Sequence, residues 1–263
     1  ATVNCLSASG ARVVAWDGRE EARAAVAGKA ELGDPMEIDL SGFDGIVVSP
    51  GVPLNRHPIT MRAKLAGVPI IGDIELFALA RPTLPPHKVV GITGTNGKST
   101  TTALIHHLLL AAGRDAVMGG NIGRPVFELE PGPPERVFVL ELSSYQLDLC
   151  EHLHCAVAVW LNLTPDHLDR HGDLAGYVAA KERIFARQRP GDIAVVGIDD
   201  APGQAEALRL RALGRVHDAA QARAAIEEAA RCFDTFNLDL MYALPGQTLD
   251  ALDADLSQAL AFE

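Results

Sequence analysis

A glycine-rich stretch, Gly91 to Thr100, constrains the fold more than any other part of the sequence. An apolar run, Val89 to Ile92, enters it, and a helix-like stretch from Ser99 to Ala112 leaves it. A strand, a glycine-rich loop and a helix in this order form a cradle for phosphate, because loop N–H groups and the positive helix end face the anion. Lys98 can reach the β- and γ-phosphates of a nucleotide, and the Ser99 hydroxyl can hold Mg²⁺.

The stretch departs from the strict phosphate-loop pattern at one position. The pattern has glycine five residues before Gly97, and this sequence has Ile92 there. The alternative interpretation is an ordinary loop with a solvated lysine. A buried type of strand before the loop and a long apolar helix after it favour phosphate binding.

Net charge, the length of the apolar runs and the cysteine spacing limit which partners and which cellular compartment the protein can have. The 263 residues carry a net charge of −11, which argues against a nucleic-acid partner or an anionic membrane surface, because phosphate backbones need a basic surface. No apolar run approaches the roughly 18–20 residues that a membrane span needs. The four cysteines are few and irregularly spaced, so we interpret them as reduced thiols of a cytoplasmic protein.

Alternating strands and helices before the glycine-rich stretch predict a parallel, doubly wound sheet. The prolines between Arg81 and His87 indicate a stiff joint, so we place a first domain at 1–81 and a second at 88–213. The predicted elements of the first domain are the helices Ala1–Ser9, Glu20–Val26, Pro58–Ala66 and Ile74–Ala80 and the strands Arg12–Trp16, Gly45–Ser49 and Val68–Ile71. Those of the second, besides the glycine-rich unit, are the strands Ala116–Gly119, Arg136–Leu140, Ala156–Leu161 and Ile193–Gly197 and the helix Leu174–Arg187.

Several polar residues follow predicted strands, where open α/β sheets gather their ligands. Glu141 ends one strand, His167 follows the next, and Asn121 lies in a turn between two glycines. Beside a Mg²⁺-nucleotide, Glu141 is suited to the metal that Ser99 touches, and His167 to a second metal or an acceptor. Two metals would neutralise the charge that develops in phosphoryl transfer.

Each of these residues also has an ordinary interpretation. Glu141 could be a helix cap or a surface charge, His167 a turn residue, and Asn121 a residue that tolerates left-handed geometry. Lys181 on a helix is by default solvated. Cys150 and Cys155 lie beside two histidines, but their position at a buried strand favours core thiols over metal ligands.

Residues 1 to about 212 resemble the Mur ligase family of peptidoglycan-synthesising enzymes. The stretches that carry the resemblance follow one another in the family's order and spacing. They are Ser49–Val52, Gly94–Thr100, Gly119–Gly123, Leu140–Leu147, Asn162–Arg170, Ala179–Lys181 and Arg183–Phe185.

The resemblance implies roles for individual residues. The ATP phosphates would be held by Gly94, Thr95, Asn96, Gly97, Lys98, Ser99 and Thr100, and magnesium by Ser99, Glu141 and His167, with Lys181 as a carbamylated lysine at the same metals. The uridine-nucleotide substrate would contact Asp17, Arg19, Ser49, Gly51, Asn121, Ser143 and Gln146. The implied substrates are UDP-N-acetylmuramoyl-L-alanine and D-glutamate, and the implied enzyme is a monomeric, ATP-dependent amide ligase with Lys98, Glu141, His167 and Lys181 in its catalytic site.

The sequence also departs from the family pattern. An opening strand with its uridine-diphosphate loop, the end of the central domain and the whole third domain are not found in it, so turnover by this chain is not expected. Residues 214–263 instead resemble a fragment of oxygen-independent coproporphyrinogen oxidase-like radical S-adenosylmethionine proteins, with a predicted strand at Phe236–Tyr242. The cysteine spacing of the family's iron–sulfur cluster is missing.

The expected fold is therefore α/β: a truncated Rossmann-like domain, a phosphate-loop domain with a parallel sheet, and a foreign tail. Three functions remain open at this point. They are an ATP-dependent ligase, a non-catalytic Mg²⁺-nucleotide-binding module, and a gene-fragment chimera without a selected function.

Overall fold

The computed structural model of the protein describes residues 1–212, Thr248 and Ser257. The chain divides into two units between Val216 and His217, and residues 1–212 belong to the first. The predicted tail strand Phe236–Tyr242, and the rest of 214–263 apart from the two residues named, lie outside the described residues. Within the described part, no helix is long and apolar enough to cross a membrane.

The first eighty residues form short elements. Their order is α1 (Thr2–Ala8), β1 (Val14–Ala15), α2 (Glu20–Ala24), β2 (Glu31–Leu32), β3 (Ile46–Val47), α3 (Ile59–Ala66), β4 (Ile70–Ile71) and α4 (Asp73–Ala80). β1 pairs with β2 and β3 with β4, both in parallel, as two separate two-stranded sheets.

The prediction of longer strands in this region was wrong. Arg12–Trp16, Gly45–Ser49 and Val68–Ile71 each contain only two paired residues. No residue of these four strands is fully buried. With little burial on either face, a ladder gains little from each further residue and ends early.

The second part is built on one five-stranded parallel sheet with the order β6-β7-β5-β8-β9. A 3₁₀ helix, Arg81–Thr83, occupies the start of the predicted proline-rich joint. The elements that follow are β5 (His87–Thr93), α5 (Lys98–Ala111), β6 (Ala116–Gly120), β7 (Arg136–Glu141), α6 (Ser144–Asp148), β8 (Val157–Trp160), α7 (Leu168–His171), α8 (Leu174–Glu182), β9 (Ile193–Val196) and α9 (Ala201–Ala212), with 3₁₀ helices at Val126–Glu128 and Arg183–Phe185.

Both faces of this sheet are covered, as a doubly wound sheet requires. On β7, Phe138 and Leu140 join the core that contains residues of α4, α6 and α8, whereas Val137 and Val139 join the core on which α5 packs. This alternation follows from the two-residue period of a strand. The predicted α/β fold is confirmed: the strand before the glycine-rich loop is part of a parallel sheet, and the helix after the loop packs on it.

Cys150 and Cys155 are buried, unpaired thiols in the larger core. Burial raises the pKa of Cys155 to about 12, so its thiol stays protonated at neutral pH. The interpretation as core thiols is confirmed.

Gly91 lies where the central strand packs most tightly, so Gly91→Ala should destabilise the fold. A Cβ at this position would lie 2.7 Å from Cys155 Sγ and 3.1 Å from Leu142 Cδ1. Overpacking a buried site in this way costs about 1–3 kcal/mol of the free energy of unfolding, measurable by urea denaturation.

A second variant identifies the cause. Cys155→Ala removes the closest atom, so Gly91→Ala should cost less in its presence than in the wild-type chain. Gly18→Ala is the matched control, because a Cβ there meets open space. Equal costs of Gly91→Ala with and without Cys155 would contradict this packing argument.

Candidate functional site

The phosphate loop lies between β5 and α5. Gly97 precedes α5 with a left-handed φ of 81°, and in the described structure no side chain caps the helix. The first N–H groups of α5 are therefore left for an anion at its positive end. On the other side the loop is tied to Asn162, which accepts from the N–H of Thr95 through its carbonyl and from the N–H of Asn96 through its side chain.

Glu141, at the end of β7, lies next to this loop and is only 2% exposed. Its carboxylate accepts hydrogen bonds from Ser99 Oγ and from Asn121 Nδ2, both at 2.7 Å. The interpretations of Glu141 as a surface charge or helix cap are thus wrong. So is that of Asn121 as a left-handed residue, because among the described non-glycine residues only Glu135 and His167 have positive φ.

Two lysines donate hydrogen bonds to carbonyls of this loop. Lys98 Nζ donates to the carbonyl of Thr95 at 2.9 Å. Lys181 comes from α8, is 1% exposed, and its Nζ donates to the carbonyl of Gly94 at 2.8 Å and to Thr93 Oγ1 at 3.2 Å. The default expectation of a solvated Lys181 is wrong.

Burial, and to a smaller extent the positive charge of Lys98, lower the pKa of Lys181 to about 7. The carboxylates of Asp166 and Glu141 act in the opposite direction. The Lys181 ammonium therefore interacts electrostatically with Lys98 and with the two carboxylates. With this lowered pKa, a substantial fraction of Lys181 is the neutral amine near pH 7.

His167 precedes α7 in a left-handed conformation with φ 52°. Its ring centroid lies 4.9 Å from that of Tyr145 and 6.2 Å from that of Tyr177. Tyr177 in turn connects to the phosphate loop through a hydrogen bond of 3.2 Å between its hydroxyl and Thr95 Oγ1. His167 thus lies directly before α7, and Tyr177 connects its ring to the phosphate loop.

The Mur ligase middle domain, a family of protein domains, matches residues 92–237, more than half of the chain.

The chain belongs to the Mur ligase family.

Curated relatives agree with this family assignment. UDP-N-acetylmuramoylalanine--D-glutamate ligase of Sphingopyxis alaskensis is 60% identical over 211 residues, which are 80% of this chain and 49% of the relative. The enzyme of the same name from Novosphingobium aromaticivorans is 61% identical over 200 residues, 76% of this chain and 45% of the relative. The chain thus spans about half the length of the curated relatives it matches.

A solved structure shares the fold. The crystal structure of UDP-N-acetylmuramate:L-alanyl-gamma-D-glutamyl-meso-diaminopimelate ligase from Neisseria meningitides matches with a TM-score of 0.52 at 18% identity, over 79% of this chain and 71% of that chain. At this identity the likeness concerns the fold alone.

In this Mur ligase chain, the expected substrate residues Ser143 and Gln146 form the capping box of α6. Ser143 Oγ accepts from the N–H of Gln146 at 3.2 Å, and Gln146 Oε1 accepts from the N–H of Ser143 at 3.2 Å. Gln146 Nε2 also donates to Asp73 Oδ1 at 3.3 Å. In this structure the two side chains therefore stabilise the start of α6, close to Glu141 in sequence.

The other expected substrate residues lie in two places. Asp17 and Arg19 follow β1 as an exposed ion pair at 3.2 Å, and none of their hydrogen bonds within the described structure reaches the phosphate loop. Ser49 and Gly51 begin the turn after β3. That turn borders a pocket of about 150 Å³, lined by Pro50, Gly51, Val52, Pro53, Asn55, Arg56, Tyr145, Asp169 and Arg170.

Sequence reasoning assigned no role to Tyr145, Arg170 or Tyr177. Tyr177 lies four residues before Lys181 on α8, so helical spacing alone places both on one face. The Lys181 ammonium lies 4.8 Å from the centre of the Tyr177 ring. Tyr145 carries no such signal, because its ring meets His167 only by tertiary contact between α6 and the start of α7. Arg170 follows His167 by three residues, and its backbone N–H donates to the His167 carbonyl at 3.0 Å.

Proposed function

We propose that this chain binds Mg²⁺-ATP at the phosphate loop as part of a cytoplasmic ligase that joins D-glutamate to UDP-N-acetylmuramoyl-L-alanine. The observation that carries the proposal is the buried Glu141 carboxylate, one hydrogen bond from Ser99 in the first turn of α5. The names of the two curated relatives support the choice of substrates. The product would be a peptidoglycan precursor.

The nucleotide phosphates would lie against the N–H groups from Gly94 to Thr100. Lys98 is the first residue of α5, and its ammonium has two further donors beside the one directed at Thr95. The ammonium and the positive helix end would both stabilise the β- and γ-phosphates.

The donor set beside the loop fits Mg²⁺. The buried Glu141 carboxylate accepts two bonds from neutral groups only, Ser99 and Asn121, so a cation would complete its surroundings. Within the described residues no group of three His, Cys, Asp or Glu side chains could hold a metal without other ligands. This suits Mg²⁺, which takes one or two carboxylates together with substrate phosphates and waters.

Magnesium bound there would neutralise the charge of the transferring phosphoryl group. His167 and Lys181 would serve a second cation at the acceptor side. An amine adds CO₂ only when neutral, releasing one proton as the carbamate forms, and a pKa lowered to about 7 keeps much of the Lys181 amine neutral at physiological pH. The resulting carbamate would offer oxygen ligands to a cation.

The uridine-nucleotide substrate would lie along the edge where Glu141 ends β7. Its contacts would be Asp17, Arg19, Ser49, Gly51, Asn121, Ser143 and Gln146. In the proposed reaction its alanyl carboxylate attacks the γ-phosphate and releases ADP. The D-glutamate amine then attacks the acyl phosphate, which forms the amide and releases phosphate.

Two measurements test the proposal. Calorimetric titration should detect Mg²⁺-dependent binding of ADP, and its absence would refute the nucleotide site. Release of phosphate from ATP that requires both D-glutamate and the uridine nucleotide would demonstrate ligase activity. Binding without such release would instead support the non-catalytic nucleotide-binding module.

Glu141→Gln should remove most of the gain in ADP affinity that Mg²⁺ provides, by about 10- to 100-fold. Glutamine keeps the size of the side chain and one oxygen acceptor, for Ser99; it loses the negative charge and the second oxygen, which accepts from Asn121. Glu130→Gln, an exposed carboxylate, is the control and should bind like wild type. An undiminished Mg²⁺ effect in Glu141→Gln would contradict the proposed role of Glu141.

A further inference from the structure

Helix α7 is a single turn of four residues, Leu168–His171, and no side chain caps it. A helix this short is not stable without tertiary contacts, because its first turn orders several residues for one hydrogen bond. The residue before it, His167, is also in the left-handed region, which is unfavourable for most residues other than glycine. Neighbouring groups must therefore hold α7, and with it His167.

Arg170 is the most buried charged anchor of α7. Its side chain is 11% exposed and pairs with Asp148 of α6 at 3.2 Å. Its guanidinium carbon lies 5.7 Å from the centre of the Tyr145 ring. Arg170 thus fixes α7 to α6 by charge and by contact with an aromatic face.

Tyr145, whose ring contacts Arg170, also contacts His167. Its ring centroid is 4.9 Å from the His167 ring and 5.7 Å from the His171 ring. His167 also lies next to Tyr177, with ring centroids 6.2 Å apart, and the Tyr177 hydroxyl hydrogen-bonds Thr95 of the phosphate loop. The imidazole of His167 therefore contacts one ring that Arg170 holds and another that the loop holds.

The arrangement of Arg170 is not optimal for stability alone. Its Nε is buried and has no hydrogen-bond partner in the described structure. An unsatisfied buried donor costs free energy, and apolar residues commonly replace partly satisfied buried charges without loss of stability. An arginine at this position therefore fits a role in positioning neighbouring groups better than a role in stability alone.

We propose that Arg170 is a positioning residue, which holds the His167 imidazole at the phosphate loop through Tyr145 and through the backbone of α7. The inference rests on the proposed role of His167 as a ligand of the second cation. Arg170 itself would touch neither nucleotide nor cation.

The first test observes the position of the His167 ring without any ligand. In the full chain labelled at histidine, Arg170→Met should shift the ring resonances of His167 and His171, which lie in the field of the Tyr145 ring. His106, on α5, should not shift. Asp148→Asn removes the partner of Arg170 and should shift the same two resonances, which are assigned with His167→Gln and His171→Gln.

This pattern separates positioning from a purely stabilising role. A loss of stability alone would lower the melting temperature and leave the folded-state resonances of His167 in place. Wild-type positions of these resonances in both Arg170→Met and Asp148→Asn would overturn the proposal.

The second test measures Mn²⁺ bound to the chain in the presence of ADP. Loss of a residue that orients a ligating histidine commonly weakens metal binding about 10- to 100-fold. Arg170→Met should weaken the cation at His167 by about 10-fold and leave the one at Ser99 and Glu141 unchanged.

His167→Ala separates the positioning role of Arg170 from the proposed cation role of His167. If it abolishes the second cation and Arg170→Met does not weaken it, the positioning role is overturned and the proposed function stands. If His167→Ala leaves Mn²⁺ binding unchanged, the proposed cation role of His167 is overturned, and the inference about Arg170 with it.

Discussion

Lys181→Met is expected to make the protein more stable below pH 7 and to remove a rise in stability at alkaline pH. Burial lowers the pKa of Lys181 in the folded chain to about 7, whereas the unfolded chain has the ordinary value near 10.4. A difference of this size corresponds to on the order of 5 kcal/mol. Methionine has a similar length and no charge to desolvate.

The sign of the pH dependence follows from proton binding. Below about pH 7 both states bind the proton, so the folded state bears the full cost of burying the charge. Between about pH 7 and pH 10 the unfolded chain keeps a proton that the folded chain has lost, and the free energy of unfolding rises with pH. Lys181→Met should lack this rise.

Urea denaturation of both proteins from about pH 6 to pH 9 measures the effect, in CO₂-free buffer so that no carbamate forms. Lys88→Met is the matched control, since Lys88 lies exposed on β5 and should leave the pH dependence as it is. Parallel pH profiles of wild type and Lys181→Met would show that the ammonium is not desolvated as described.

The centre of the fold was predictable because its signals are local. The apolar run into Gly91 and the long helix after Gly97 are patterns of consecutive residues. α5 differs from the predicted Ser99–Ala112 by one residue at each end, and β5 begins two residues before the predicted run and ends one residue after it. The positions of Glu141, Asn121 and Ser99, at strand ends and in the glycine-rich loop, predicted a common site, and the family resemblance gave them roles. The three side chains do meet.

The elements that were missed depend on tertiary contacts. β2 is two exposed residues, Glu31 and Leu32, with no alternation to detect. α9 begins with Pro202 and Gly203 in its first turn, which are turn signals in a sequence. α7 is one turn long and is held by Arg170.

Burial of single side chains was the least predictable property of the site. The helix around Lys181 was predicted correctly, but a lysine on a helix is ordinarily solvated. Its burial arises because α8 packs against the carbonyl of Gly94, 87 residues away in sequence. A contact between residues so far apart in sequence cannot be detected in the local sequence pattern around Lys181.

Lys98→Met should weaken ATP and ADP binding by about 10- to 100-fold, because a hydrogen bond to a charged group contributes roughly 1.5–3 kcal/mol. AMP lacks the phosphates that Lys98 would reach, so its affinity should not change. Calorimetric titrations with the three nucleotides test both statements, with Lys88→Met as the control for the loss of one positive charge. An equal loss for AMP would mean that Lys98 supports the loop instead of contacting the β- and γ-phosphates.

The same variant links the phosphate loop to Lys181. The charge of Lys98 contributes to the lowered pKa of Lys181, so its removal should raise that pKa. The rise in unfolding free energy that Lys181 causes should then begin at a higher pH in Lys98→Met than in the wild-type chain. Because no nucleotide is needed, this shift reports the proximity of the two ammonium groups independently of binding. An unshifted pH profile in Lys98→Met would contradict the placement of both ammonium groups at the phosphate loop.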